Sequence, residues 1–278
     1  MKGLADYLLK EENLLNYANR TNPIPFEPNR YCYCKLYKTL SLFLSEEMEQ
    51  IYLDQYSKDL QDILKNEYRF INDDGSTKLQ LDKIGKLGEY TFHLLLTQFY
   101  GLDCIIPKFT LTSNRNMSIF GIDTLFYNEK ENAIYFGESK VSKNINSAIK
   151  LVNESLSNYE HQILEEYRLI LSNANLKLNK RFEDLFTKHT EICQSFPQFI
   201  KMAEISKIYV PVFLEHGTLS SNETIEDILV KMKTKISQRQ LLGLETIYVL
   251  ISLPIINKEE FTSILISKIE DKQLEYTL

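Results

Sequence analysis

The chain has 278 residues, 44% hydrophobic and 25% charged, enough to bury one large core or two modest ones. Without a run of about 18 apolar residues or the apolar stretch of a signal peptide, membrane-spanning and secreted readings are set aside and a cytoplasmic protein is expected. The net charge of −6 is unusual for a protein that grips nucleic acid unaided, because phosphate neutralisation supplies most of that affinity. A role on DNA would therefore need local basic patches, metal ions or a partner subunit.

Residues 1–78 read as a mostly helical N-terminal region. An apolar-periodic segment covers residues 4–17, a proline-rich connection holds Pro23, Pro25 and Pro28, and helical patterns resume over 46–68. Asn72-Asp73-Asp74-Gly75-Ser76 is a turn cluster and the preferred domain boundary. Cys32, Cys34, Cys104 and Cys193 are too scattered for a disulfide framework, and no second pair at zinc-site spacing follows Cys32 and Cys34.

From residue 79 the pattern changes. A helix is expected over 82–100, then short strands over 103–109, 119–127 and 133–141, each rich in Ile, Phe, Tyr or Val. Ser142 is the expected cap of the next helix, whose buried face is Ile145, Ile149, Val152, Leu156, Tyr159 and Ile163. Helical segments follow between 160 and 202. Two apolar runs over 207–214 and 246–253 flank a helical pattern at 224–240, which predicts a right-handed parallel crossover extending the same sheet. A last helix covers 258–271.

The chemistry lies on the central strands. Asp123 interrupts the apolar run Phe120-Gly121-Ile122-Asp123-Thr124-Leu125-Phe126, and Glu138 and Lys140 end the run Ile134-Tyr135-Phe136-Gly137-Glu138-Ser139-Lys140. Side chains alternate along a strand, so Glu138 and Lys140 share a face with Ile134 and Phe136. Ions on such a face are costly unless they pair or bind metal. The turn at 128–132 is short enough for an antiparallel hairpin. If Asp123 lies opposite Glu138, Leu125 faces Phe136 and Tyr127 faces Ile134, whereas a slip of one residue would separate the acids. Two adjacent carboxylates repel, and hard oxygen ligands with retained waters suit Mg²⁺ or Mn²⁺. Such an ion polarises a phosphodiester and activates water, and Lys140 would stabilise developing negative charge. Upstream, Gly85, Gly88, Glu89 and Phe92 share one side of a helix, so two glycines would permit close approach to the sheet and Glu89 would point towards the hairpin as a further metal ligand or supporting group.

The order of a helix with Glu89, a strand, a strand with Gly121-Ile122-Asp123, a strand with Glu138-Ser139-Lys140 and then a helix resembles the PD-(D/E)xK nuclease superfamily. The resemblance implies an α/β (α+β) fold with a restriction-endonuclease-like αβββαβ core over roughly 80–215, its mixed central sheet flanked by helices, inside a domain spanning 79–278 with a C-terminal sheet extension. It also implies that Asp123 and Glu138 bind the metal, that the Ser139 carbonyl joins them, and that Lys140 assists the nucleophile. Ile122 stands where the motif's name has proline. Gly85-Lys86-Leu87-Gly88-Glu89, Phe120-Gly121-Ile122-Asp123 and Phe136-Gly137-Glu138-Ser139-Lys140, with the chain length and helical N-terminal region, further resemble the nuclease subunits of Hachiman anti-phage systems. That likeness implies a metal-dependent deoxyribonuclease working with a superfamily 2 helicase on DNA.

Plainer readings stand beside these. Lys140 could simply pair with one acid, Glu89 could be a surface residue, and Lys143 and Lys150 could be solvated rather than phosphate contacts. Asn114 and Arg115 would lie near DNA only if the loop 112–118 borders the site. A stand-alone restriction-like endonuclease and a non-catalytic subunit keeping the nuclease fold are the alternative functions. The acidic charge predicts that the isolated chain binds DNA weakly and salt-sensitively; fluorescence anisotropy showing tight binding at physiological salt would contradict it.

Overall fold

The structure, a computed structural model, describes residues 1–19, 29–44, 84–105, 122–172, 178, 180–190, 195–217, 223–255 and 257–277. These residues hold ten helices and one mixed five-stranded sheet, a mixed α/β architecture. None of the described helices is long and apolar enough to cross a membrane.

The chain opens with α1 (Lys2–Leu8), α2 (Glu11–Asn19) and α3 (Arg30–Leu44). The single segment expected over 4–17 is thus two helices. The first closes at Leu9, and the second starts with Glu11 and Glu12 in its first turn, where the positive end of the helix dipole favours acids. The helical pattern over 46–68 and the boundary at 72–76 lie outside the described residues.

The next helix, α4 (Ile84–Gln98), precedes β1 (Asp103–Cys104), β2 (Thr124–Asn128) and β3 (Ala133–Ser142). The rest of the strand expected over 103–109 lies beyond the described residues or outside regular pairing. Strands β2 and β3 form the expected antiparallel hairpin. In its turn the Asn128 side chain accepts the Lys130 and Glu131 N–H groups at 3.1 and 3.3 Å, and Asn132 takes φ 44°, a conformation that asparagine tolerates.

After the hairpin come α5 (Ile145–Leu156), α6 (Tyr159–Ser172), α7 (Lys180–Thr190) and α8 (Phe196–Met202). Two expectations are corrected here. Asn144, not Ser142, caps α5 by accepting the Ser147 N–H at 2.9 Å, because Ser142 is still the last residue of β3. The apolar face expected on one helix is carried by two, and at the break the Ser157 hydroxyl donates to the Glu154 carbonyl at 2.7 Å. Then β4 (Lys207–His216), α9 (Ile225–Lys235), β5 (Glu245–Pro254) and α10 (Lys258–Thr277) complete the chain. A capping box between Thr224 and Asp227 starts α9, which stops at Ile236 rather than at 240.

The strand order is β1-β2-β3-β4-β5, with the first two pairings antiparallel and the last two parallel. One sheet face carries Ile134, Phe136, Val212 and Leu214 against Ile149, Val152, Ile163 and Phe199 of the helices that follow β3. The other carries Phe126, Tyr135 and Phe213 against Phe92 and Leu96 of α4, with the Phe92 and Phe213 rings stacked at 5.4 Å. The outer side of α4 is buried in turn. Leu87, Tyr90 and Leu94 join Leu8, Leu14, Tyr37 and Leu40 from the N-terminus and Phe261, Leu265 and Ile269 from α10.

Close approach of α4 to the sheet rests on Gly88, where a Cβ would collide with the Val141 side chain. Gly85, expected to share that task, meets open space. On the sheet side Gly137 leaves room for Phe92, whose Cε1 would lie 2.7 Å from any Cβ added there.

On β4, Glu215 is fully buried and neither carboxylate oxygen has a hydrogen-bond partner among the described residues. Burial pushes this acid up to about 7, against a smaller opposing effect of Lys258. A raised folded-state pKa means that its contribution to stability is full below about pH 4.5 and is lost as pH climbs through about 7. Chemical denaturation from pH 4.5 to 8.5 should therefore show Glu215→Gln losing less stability with rising pH than the parent, by about 3 kcal/mol. Identical slopes for the two proteins would refute the assignment.

Candidate metal centre

Strand β2 starts one residue after Asp123. Its pairing with β3 runs from Thr124↔Gly137 to Asn128↔Ala133 and includes Leu125↔Phe136 and Tyr127↔Ile134, the expected register. One further step along that register sets Asp123 opposite Glu138. Here the strand ends and the Asp123 side chain takes over the ladder. The Ser139 N–H donates to Asp123 Oδ2 at 2.6 Å, and the Ser139 hydroxyl donates to the same oxygen at 3.0 Å.

Glu138 is 1% exposed, on the face of β3 that also buries Ile134 and Phe136. Its Oε1 accepts from Lys140 Nζ, two residues along the same face, while Oε2 is buried without a hydrogen-bond partner among the described residues. Burial raises the Glu138 pKa most, and the facing Asp123 charge raises it further. Lys140 and the Ser155 hydroxyl on α5 act in the opposite direction, yet the acid still ends near 7. Burial alone would lower Lys140, but Asp123, Glu138 and Glu89 outweigh it and hold the ammonium charged. Below these groups the Tyr159 hydroxyl donates to the Phe136 carbonyl at 3.0 Å, fixing the start of α6 under the strand.

Asp123, Glu138 and Lys140 thus come together as their spacing requires. Glu89, half-buried on α4, sits close enough to act on Lys140. Among the described residues no three His, Cys, Asp or Glu side chains gather into one metal-holding group. Lys143 is exposed just past β3, and Lys150 pairs with Glu154 at 3.8 Å. Gly121, Asn114 and Arg115 lie outside the described residues.

The donor set fits a small hard cation. Both bonds to Asp123 fall on Oδ2, and Glu138 offers a buried oxygen with no partner. Two carboxylates with free lone pairs, repelling each other in a poorly hydrated spot, are what an Mg²⁺ or Mn²⁺ ion would relieve. Lys140 is the resident positive charge on Glu138, so a divalent ion would have to displace or share it.

The sequence did not single out the Ser139 side chain or Ser155. A serine between Glu138 and Lys140 reads as an ordinary strand residue, and only the ending of β2 at Thr124 turns its hydroxyl into a clamp on Asp123. Ser139→Ala keeps the backbone bond and removes the hydroxyl one, a loss of about 1 kcal/mol. Mn²⁺ titration followed by electron paramagnetic resonance should show several-fold weaker binding, with the melting temperature lowered by only about 2–4 °C. Unaltered affinity would mean that the hydroxyl does not orient Asp123.

No curated protein matches the chain. The family model described as HamA matches residues 11–269, which takes in α2, the whole sheet and most of α10. With Asp123, Glu138 and Lys140 inside that span, the chain belongs to the HamA family, and so to the proteins of Hachiman-type defence.

Proposed function

We propose that the chain is a metal-dependent deoxyribonuclease with a PD-(D/E)xK core, the effector subunit of a defence complex with a superfamily 2 helicase. The observation that carries this reading is the convergence of Asp123, Glu138 and Lys140 on one end of a buried hairpin face. The succession of α4, β1, β2, β3, α5 and β4 around that face is in keeping with the αβββαβ order of such cores.

Asp123 and Glu138 would hold the divalent ion, Asp123 oriented by Ser139 and Glu138 by Lys140. When bound, the ion would polarise the scissile phosphodiester and make a water more acidic. Lys140 keeps its charge at neutral pH and stands where negative charge accumulates on the phosphoryl oxygens, so it stabilises the transition state. Glu89 helps hold Lys140 charged from the α4 side. The buried apolar floor of Ile134, Phe136 and Val212 keeps bulk water from the underside of the site, which strengthens each charge interaction.

A helicase partner answers the charge problem. With a net charge of −6, the chain lacks the basic surplus for unaided capture of DNA, and a partner that tracks DNA would deliver the strand.

The test is cleavage of plasmid and linear DNA by the purified two-subunit complex, alongside phage plaque counts. Glu138→Ala and Lys140→Ala should each lower cleavage by about 10²-fold or more and abolish protection. Chelation with EDTA should stop cleavage, and Mg²⁺ or Mn²⁺ should restore it. Protection by both variants at parent levels would leave only a non-catalytic role.

A further inference from the structure

The carboxyl ends of the three parallel strands are level. Ser142 of β3, His216 of β4 and Pro254 of β5 are register partners. The Gly217 N–H donates to the Ser142 carbonyl at 3.2 Å and the Ile255 N–H to the His216 carbonyl at 2.7 Å, so the ends are stitched into one edge. A side chain at Gly217 would collide with the Lys143 carbonyl. The His216 ring braces the same edge, 2.9 Å from both the Gly217 carbonyl and the Ser252 hydroxyl. In open α/β sheets, ligands bind beyond this end of the strands.

Three lysines mark the edge. Lys140 lies two residues inside it and is engaged by Glu138. Lys143 follows β3 directly, and Lys258 opens α10 just past β5. Some described lysines pair with acids, as Lys207 does with Glu245, Lys231 with Glu223, Lys268 with Asp6 and Lys272 with Glu11, whereas others such as Lys201 and Lys233 stand exposed away from this edge. Neither Lys143 nor Lys258 forms an ion pair with a described residue. Their ammonium groups are close enough to repel, and Lys258 is half-buried as well, so burial and Lys143 together work against its charge. Glu215 attracts Lys258 but makes no hydrogen bond to it. Glu215 outweighs Lys143 in its effect on Lys258, but it lies buried beneath the edge, so the two cations at the level strand ends are free to take an anion from outside.

A DNA strand supplies such anions at regular intervals. Adjacent strands lie about 4.8 Å apart, so β5 is about 10 Å from β3, roughly three nucleotides of duplex rise. We propose that Lys143 and Lys258 form a phosphate-binding rim that receives the DNA backbone a few nucleotides from the bond aligned at Asp123, Glu138 and Lys140. The inference rests on the nuclease reading above and adds the path of the substrate across the sheet edge.

The experiment compares the full chain, alone at low salt and in its complex, with Lys143→Ala/Lys258→Ala. Lys201→Ala/Lys233→Ala serves as control, because these exposed lysines end α8 and α9 near the opposite, amino ends of β4 and β5. Anisotropy of a labelled single-stranded oligonucleotide gives affinity across a salt series, and cleavage gives KM and kcat. The rim variant should bind about tenfold more weakly, with a salt slope shallower by about 1.4, and should raise KM while leaving kcat within about twofold. The control should match the parent. Parent-like binding and slope in the rim variant, an equal loss in the control, or no DNA binding by the parent would each overturn the proposal. Cleavage that persists with an unaffected KM sinks the rim and spares the nuclease reading. Absent cleavage with rim-dependent binding does the reverse.

Discussion

The pairing of β2 with β3 fixes where two negative charges meet. Leu125↔Phe136 and Tyr127↔Ile134 fill one face with apolar contacts, so the hairpin cannot slide by one residue without turning that face to solvent. Thr124, Gly137 and Phe92 add a steric lock from the other side, because α4 presses a phenyl ring into the space that glycine leaves. Once the register is locked, Asp123 and Glu138 have no freedom to separate. Their repulsion is imposed by the packing of residues that take no part in chemistry.

That arrangement is costly and the structure offsets only part of it. Two unit charges about 4 Å apart in an effective dielectric near 20 interact by about 4 kcal/mol, so repulsion between facing acids and attraction to a lysine are both large on the scale of folding stability. Ser139 spends two hydrogen bonds on one oxygen of Asp123, and Lys140 satisfies one oxygen of Glu138. One oxygen of Glu138 has no hydrogen-bond partner among the described residues, and burial together with Asp123 raises its pKa despite the lysine. A site left short of positive charge in this way is suited to gaining a cation. Glu215 is the instructive contrast: it is equally buried, but it has no second acid facing it across a strand and makes no hydrogen bond to Lys258, so its burial is a cost without that logic.

Much of this was legible in the sequence because period-two alternation is a local property. The order Ile134, Phe136, Glu138, Lys140 places four side chains on one face whatever surrounds them, and a short polar turn dictates the hairpin. The helix ahead of the hairpin and the two later strands were legible from other local signals, helical periodicity in the first and continuous apolar runs in the others. What escaped depends on endings and on meetings between distant segments. An apolar stripe running through Leu156, Tyr159 and Ile163 does not reveal that Ser157 interrupts it. The choice of Asn144 over Ser142 as cap depends on how far β3 stays paired with β4, and β4 begins more than sixty residues later in the chain. Gly85 and Gly88 look equivalent on a helical wheel, and only Val141 distinguishes them. Lys258 comes within reach of the Lys143 charge because three strand ends align, a fact carried by no single stretch of sequence.

The N-terminal helices have a structural bearing on the site that their distance in sequence conceals. Helix α4 holds Gly88 and Phe92 on the sheet and Glu89 beside Lys140, so its placement helps set the charge at the centre. Its opposite side is gripped by the first and last parts of the chain. The Tyr90 hydroxyl donates to the Leu8 carbonyl at 2.7 Å, and the Tyr37 hydroxyl to the Leu9 carbonyl at 2.7 Å. Helix α10 closes the bundle through Phe261, Leu265 and Ile269, with Lys268 on Asp6 at 2.5 Å and Lys272 on Glu11 at 2.7 Å at its rim. The same α10 begins at Lys258, on the edge of the sheet beyond the candidate centre. A displacement of the N-terminal helices would therefore be felt at both ends of the site, at Glu89 through α4 and at Lys258 through α10.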